Sequence, residues 1–419
     1  MGTTAKPTGR DDSLCTLQLL MFALISLLMS SPVMADDSIT PVTTNIPVMP
    51  TTRNLDHNES LLSLALHDMQ QGQLELALQQ IELLLHNQPD FHLAQLIHGD
   101  LLLAHAQALD TLGNTGKSSA QLEDLRAEAR ARLDSLLQPP PDGTVPEQVL
   151  QLASNIPHVI IVDTQESRLY VYANQLGSLH YIADYYVTIG KKGSGKSKEG
   201  DERTPLGVYF ITQHLQNKTL EHTYGSQAFP LSFPNDWDKR QGLRGHGIWL
   251  HGTFSGTYNR PPHASDGCVV MTNTDLNSLV GYIILNITPV VITDHIRWIT
   301  PQQAEAKRME LLQHMTQWQQ DWQSLDIDHY LMHYDHQFTD DRMDFTQWSA
   351  NKRRIAPSKN WIKVTLTDVS LFEYPGQRDV YLADFKQDYR SNNVNNIMSK
   401  HQYWQQQGNQ WKILAENTP

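Results

Sequence analysis

Gly247-Ile-Trp-Leu-His251-Gly252-Thr253 is followed, after a loop, by His263-Ala-Ser265-Asp266-Gly267-Cys268-Val-Val-Met-Thr-Asn273. The first stretch reads as a strand, Ile248-Trp-Leu250, with His251 at its end, where the ring projects from a fixed backbone. The second sets Cys268 behind a glycine and ahead of a segment, Thr274 to Leu285, that reads as a helix. A thiol near a helix N-terminus is biased towards thiolate by the dipole and the free N–H groups. A neighbouring imidazole completes a nucleophile and its base, and later protonates the leaving group. The backbone N–H groups of Gly267 and Cys268 are the candidate oxyanion donors. Gly267 also admits a close substrate and tolerates an unusual backbone angle.

Two other chemistries compete for these residues. His246, His251, His263 and Cys268 are all zinc-ligand types, but there is no CxxC or HExxH and the spacings match no zinc motif. Gly190-Lys-Lys-Gly-Ser-Gly195-Lys196-Ser197 fits the phosphate-loop pattern after a strand. That motif needs a helix to start at the Lys-Ser, so that its N-terminus faces the phosphates. Lys198-Glu-Gly-Asp-Glu-Arg-Thr-Pro205-Leu-Gly207 follows instead, and glycine and proline oppose a helix. Lys196→Ala is therefore expected to be nearly neutral, with no nucleotide bound.

Cysteine use sharpens the reading. The chain has 419 residues and 2 cysteines, Cys15 and Cys268. Lys6 and Arg10 precede an apolar run from Leu14 to Met29, then Ser31-Pro-Val-Met-Ala35, which reads as a signal peptide cut after Ala35. Cys15 leaves with it. A single thiol in an oxidising compartment is either buried or has a task. The formal net charge of −13, with no Lys/Arg-rich run, argues against nucleic acid or an anionic membrane as main partner.

The chain divides by pattern. Residues 1–35 are the signal peptide and 36–60 a Thr/Pro/Asp/Asn-rich linker. From 61 to 137 apolar residues recur at helical spacing, broken at Gly72 and Pro89. This segment resembles a tetratricopeptide repeat, or is a plain helical hairpin. Residues 138–157 form a second linker around Pro139-Pro-Pro-Asp-Gly143. From Val159 the pattern becomes mainly β: Val159-Ile-Ile-Val162, Leu169–Tyr172, Tyr185–Ile189, Val208–Ile211, Ile248–Leu250 and Pro289–Ile292. From 300 to 419 a long helix from Pro301 to about Trp322 precedes alternating strands, making an α+β domain. The segment Trp318 to Phe338, with the sheet ending Trp411-Lys-Ile-Leu414, resembles the nuclear transport factor 2-like cone fold. That resemblance implies a pocketed domain for binding or pairing. Residues from about 300 onward are expected to fold alone.

The block H-G-T … S-x-G-C-V resembles the catalytic domain of L,D-transpeptidases of bacterial cell walls. Upstream, Lys198-Glu-Gly-Asp201-Glu-Arg-Thr204-Pro205-Leu-Gly207 matches that family's turn before its next strand. Together these cover the domain at 158–297. The resemblance implies Cys268 as nucleophile and His251 as base, with the Gly252 carbonyl orienting the imidazole. Many members carry His before Gly-Cys and Arg two residues after Cys, where this chain has Asp266 and Val270. The run is closer to a divergent branch that includes hydrolases of wall peptides, some with a nuclear transport factor 2-like domain behind the catalytic one.

The implied chemistry is acyl transfer at the L,D peptide bond of peptidoglycan stem tetrapeptides, in the periplasm, with a role in wall biogenesis and cell shape. D-Ala leaves, a Cys thioester remains, and an amine or water takes the acyl group. Release of a wall-linked lipoprotein is a third outcome of the same site. No cofactor, metal or nucleotide is implied, and a homodimer through the C-terminal domain is a further partner expectation. Arg244, Lys239 and Arg260 are candidates for binding the substrate's charged groups, or ordinary surface charges. The contrasting class is a wall-binding scaffold without catalysis.

Overall fold

Val159-Ile-Ile-Val162 is apolar at four consecutive positions, and none of the four is exposed. A strand alternates its side chains between two faces, so both faces of this one must be covered. The computed structural model, which describes residues 57–104, 112–113, 119–216, 220–340 and 342–418, shows what covers them. The expected signal peptide, and all but the last four residues of the linker at 36–60, lie outside the described residues.

Helices α1 (His57–Gln70), α2 (Leu74–Asn87), α3 (His92–Ala104) and α4 (Ala120–Leu137) form the N-terminal part. Gly72 turns between the first two with φ of +74°, and Pro89 separates the second and third. Ala65, Ala77, Ile81, Leu84, Leu93 and Ile97 make their core. Helix α1 starts at His57, inside the stretch expected as linker, and this brings Glu59 into the structure.

Strands β1 (Val145–Pro146) and β2 (Val149–Gln151) follow. Next come β3 (His158–Asp163), β4 (Arg168–Gln175), β5 (Ser178–Tyr186), β6 (Ile189–Gly190), β7 (Gly207–Phe210), β8 (Leu215–Gln216) and β9 (Gln227–Pro230). Helix α5 (Asp236–Arg240), strands β10 (Trp249–His251), β11 (His263–Ser265) and β12 (Val269–Val270), helix α6 (Asn273–Leu279) and strand β13 (Pro289–Thr293) complete the mainly β domain. Behind it lie β14 (Trp298–Ile299), α7 (Pro301–Gln323), α8 (Ile327–Leu331), β15 (Tyr334–Thr339), α9 (Phe345–Ile355), β16 (Ile362–Glu373), β17 (Val380–Ser391), β18 (Asn395–Gln407) and β19 (Gln410–Asn417). Helix α7 begins where the sequence predicts, at a Thr300 cap with a reciprocal Gln303 bond and proline at its first turn.

Strand β3 is the middle of a five-stranded sheet ordered β5-β4-β3-β13-β7. Ile160 and Val162 point into a core shared with Phe229, Leu250, Val269 and Leu276. These residues belong to α6 and to the sheet β12-β10-β9-β8, which carries the site. Val159 and Ile161 point the other way, against Trp237, Phe372, Tyr374 and Tyr403. The C-terminal domain thus covers the second face.

Two expectations change here. The stretch 138–157 is not free linker, because β1 pairs with β14 and β2 pairs antiparallel with β16, Phe372 opposite Val149. Strand β2 is the edge of the C-terminal six-stranded sheet β15-β19-β18-β17-β16-β2. Residues from 300 onward also share an apolar core with the catalytic domain, so cutting at 300 exposes Phe372, Tyr374 and Tyr403 and removes an edge strand.

The Trp237 ring packs at a tilt, 4.9 Å from Tyr403 and 5.8 Å from Tyr374, at this junction. Truncating it removes a buried aromatic on both sides, so Trp237→Ala is expected to cost about 3–5 kcal/mol. The catalytic and C-terminal domains are expected to melt together in one calorimetric transition. Two well-separated transitions in the parent protein would contradict the shared core.

Candidate active site

Strand β10 lies between β9 and β12. It pairs in parallel with β12, Leu250 opposite Val269 and His251 opposite Val270. Cys268 immediately precedes β12, so the same pairing that fixes His251 fixes the cysteine's backbone. His251 is buried, and its Nδ1 lies 2.7 Å from the Gly252 carbonyl oxygen. A carbonyl only accepts, so Nδ1 carries the proton and Nε2 keeps its lone pair. That is the tautomer a base needs.

Gly252 has a steric reason as well. A Cβ there would collide with Asn273 Oδ1. The Asn273 amide donates to the Thr253 carbonyl at 2.9 Å and accepts from the Ser226 N–H at 3.3 Å. Tyr224 presents an edge to the His251 ring, with centroids 5.0 Å apart, and its carbonyl accepts from the Gly252 N–H at 3.1 Å. Neither Asn273 nor Tyr224 was picked out from sequence.

Ser265 ties down the turn that holds the thiol. Its Oγ accepts from the Gly267 N–H at 3.1 Å and donates to the Cys268 carbonyl at 2.6 Å. Gly267 has φ of +128°, and a Cβ there would lie 2.8 Å from the Arg203 carbonyl oxygen. Of the two expected oxyanion donors, the Gly267 N–H is therefore already engaged, which leaves that of Cys268. The helix starts within a residue of the expected Thr274 but ends at Leu279, short of Leu285, and the thiol does not sit at its entry. Val269-Val270 continues as strand, and α6 begins at Asn273 with Thr272 as its cap. Cys268 thus lies upstream of the helix dipole rather than at its end.

The electrostatics follow from that placement. The thiol donates to the Gly247 carbonyl at 3.3 Å. Burial pushes it up to about 11, and Asp266 adds to the effect, outweighing the Trp249 N–H, Arg260 and Lys196, which favour the thiolate. Burial also brings His251 down to about 4. At neutral pH both groups are uncharged, so the resting pair is thiol and imidazole, not thiolate and imidazolium.

The other sequence candidates separate cleanly. Arg260 reaches the Thr223 carbonyl at 3.4 Å, and its charge acts on both His251 and Cys268. Arg244 is exposed, and Lys239 is exposed and paired with Asp236 at 3.5 Å. His246 and His263 are exposed, and they do not gather with His251 and Cys268 into a metal-ligand set. Asp266 pairs at the surface with Lys191 at 2.7 Å.

Lys196 departs from its expected neutrality. The glycine-rich stretch folds around the Asp201 carboxylate, which accepts from Lys196 Nζ at 2.8 Å and from the Ser197 and Lys198 N–H groups at 2.7 and 3.0 Å. These donors hold the Asp201 carboxyl well below its usual range against its burial. Both side chains are buried, so Lys196→Ala strands a carboxylate at a cost of about 3 kcal/mol and removes a positive charge felt by Cys268.

The C-terminal domain has a cavity of about 310 Å³, lined by Trp322, Tyr330, Lys352, Tyr389, Lys400 and Glu416 among others. The Lys352 ammonium lies 5.0 Å from the Trp348 ring centre and 5.4 Å from that of Trp322. Burial lowers its pKa.

The neutral resting pair gives a direct expectation. Alkylation of Cys268 by iodoacetamide should climb steadily with pH through the neutral range and level off only near pH 11. A plateau already reached at pH 7 would show a preformed ion pair instead.

Comparison with known proteins places these two domains. Residues 157–292 match the family model of the L,D-transpeptidase catalytic domain. Residues 310–417 match that of the Cds6 C-terminal NTF2-like domain. YafK of Escherichia coli (strain K12), provisionally named an L,D-transpeptidase, is 26% identical over 141 residues, 33% of this chain and 52% of YafK. The chain thus spans about half the length of the curated relatives it matches. Among solved structures, Bd1075 of Bdellovibrio bacteriovorus is 28% identical with a TM-score of 0.58, over 66% of this chain and 98% of that one. Pgp2 of Campylobacter jejuni, described as a helical cell shape determining protein, is 26% identical with a TM-score of 0.56, over 65% of this chain and 95% of that one. The chain therefore carries an L,D-transpeptidase catalytic domain followed by a Cds6-type NTF2-like domain.

Proposed function

We propose that the protein is a periplasmic cysteine acyltransferase acting at the L,D peptide bond of peptidoglycan stem tetrapeptides. The observation that carries this reading is the His251 imidazole, locked by the Gly252 carbonyl on the strand that pairs with the one following Cys268. Cys268 Sγ attacks the carbonyl carbon of the third stem residue as its proton passes to His251 Nε2. The Cys268 N–H faces the developing oxyanion. The imidazolium then gives the proton to the amine of D-Ala, which leaves, and a thioester remains. An incoming amine or water loses its proton to the same imidazole and releases the acyl group.

A neutral starting pair suits this sequence. The proton moves only as the new bond forms, so no charge is held on the partly buried pair before substrate arrives. Cys268 is only partly buried, which admits water to the thioester. Trimming of tetrapeptides to tripeptides is therefore the second outcome we propose for the same site. The aromatic and cationic C-terminal cavity is the surface we assign to holding a further part of the wall strand.

Incubating purified wall fragments with the protein and weighing the products distinguishes cross-linking from trimming. Cys268→Ala should keep the melting temperature and lower turnover by about 10³-fold or more. Residual turnover well above that would remove Cys268 from the nucleophile role. His251→Gln should slow acylation and flatten its dependence on pH. A variant that acylates like the parent would exclude His251 as the base.

A further inference from the structure

The loop between His251 and Cys268 does not stand on the catalytic domain alone. It leans on helix α4 of the N-terminal part. The Asn259 side chain donates from Nδ2 to Glu128 Oε1 at 2.9 Å, and its Oδ1 accepts from the Arg260 N–H at 2.8 Å. One loop residue away, the Tyr258 ring packs on Phe91, with centroids 4.7 Å apart. The Arg260 carbonyl is held from the other side by the Tyr186 hydroxyl at 3.1 Å and by Thr188 Oγ1 at 3.2 Å.

The helix-side anchor is built rather than incidental. Glu128 and Arg132 are both buried, and Arg132 Nε donates to Glu128 at 3.1 Å. The Arg132 guanidinium lies 4.1 Å from the centre of the Tyr186 ring, the same tyrosine that holds the Arg260 carbonyl. Arg132 also pairs with Glu59 of α1, which pairs in turn with Arg168 of β4 at 3.0 Å. A charged network of this kind is costly to bury and collapses when a member is removed. It therefore fixes helix α4 against the sheet, and with it the Glu128 oxygen that Asn259 meets. At the working end, the Arg260 guanidinium reaches the Thr223 carbonyl, next to the Tyr224 that edges onto His251.

We propose that Asn259, anchored by buried Glu128 of the N-terminal helices, is a positioning residue that sets Arg260 beside the Cys268–His251 pair, where Arg260 takes a carboxylate of the wall peptide. The substrate class rests on the function proposed above, while the positioning of Arg260 does not. The N-terminal helices are then part of the active site's construction and not an appended module. A guanidinium so placed draws anions towards Cys268, over and above its effect on the thiol, which anionic and neutral reagents feel alike.

The experiment uses the full chain and compares alkylation of Cys268 by anionic iodoacetate and neutral iodoacetamide. Asn259→Ser keeps a hydroxyl near the Arg260 N–H but is too short to reach Glu128. Arg260→Gln removes the charge. Both Arg260→Gln and Asn259→Ser should lower the iodoacetate-to-iodoacetamide rate ratio by about threefold or more, the ratio cancelling any change in the thiol's own reactivity. The double variant Asn259→Ser/Arg260→Gln should be no lower than Arg260→Gln alone. On wall tetrapeptide, Asn259→Ser should raise KM more than it lowers kcat. A parental ratio in Asn259→Ser beside a lowered ratio in Arg260→Gln would overturn the proposal. So would additive effects in the double variant, or an unchanged ratio in Arg260→Gln. A ratio that falls as expected in a protein that does not turn over wall tetrapeptide would refute the proposed function and uphold the positioning role.

Discussion

The parallel pairing of two very short strands holds the chemistry together. Strand β10 ends at His251 and β12 starts one residue after Cys268, and their register, with His251 opposite Val270, ties base and nucleophile to one pair of strands. Short strands have little stability of their own. This pair persists because Leu250 and Val269 are driven into the same core as Ile160 and Val162 of the central sheet. The geometry of the site is therefore a property of that core. The glycines at 252 and 267 are set by the same packing, one against Asn273 and the other against the Arg203 carbonyl.

The price of that rigidity is desolvation. Burial disfavours charge on both Cys268 and His251, so the resting site is neutral. Charges that favour the thiolate stand around it rather than in it: Arg260 on the loop and Lys196 on the turn folded around Asp201. Lys196 is held by Asp201 five residues on, whereas Arg260 is fixed through contacts distant in sequence. The N-terminal helices and the C-terminal domain share this character, since each docks on the catalytic domain through buried side chains, with Arg132–Glu59–Arg168 on one side and Trp237–Tyr403 on the other.

Much of the site was legible because its parts are close in sequence. His251, Gly252, Gly267 and Cys268 fall within two short runs, and strand, glycine and cysteine each signal a backbone requirement. What escaped depends on distant contacts. Asn259 and Glu128 are 131 residues apart, and Gln151 reaches the Val369 carbonyl across 218. Neither local pattern nor composition marks such pairs. Strand β2 was hidden because three residues beside a proline hinge carry no periodic signal. Strand β18 was hidden by its polarity, since His401-Gln-Tyr-Trp-Gln405 alternates poorly and buried Gln402 is satisfied by donating to Glu416 and accepting from Trp404. Cys268 was set too close to the helix that follows it, because two β-branched valines extend the strand first.

The most direct test is to trap the intermediate. The protein is mixed briefly with a purified wall tetrapeptide, quenched in acid and digested, and the peptide containing Cys268 is weighed. A thioester adduct on Cys268 carrying the substrate minus its terminal D-Ala, formed no more slowly than product appears, is the predicted result. Product formation with Cys268 unmodified at every time point would contradict covalent catalysis by this residue.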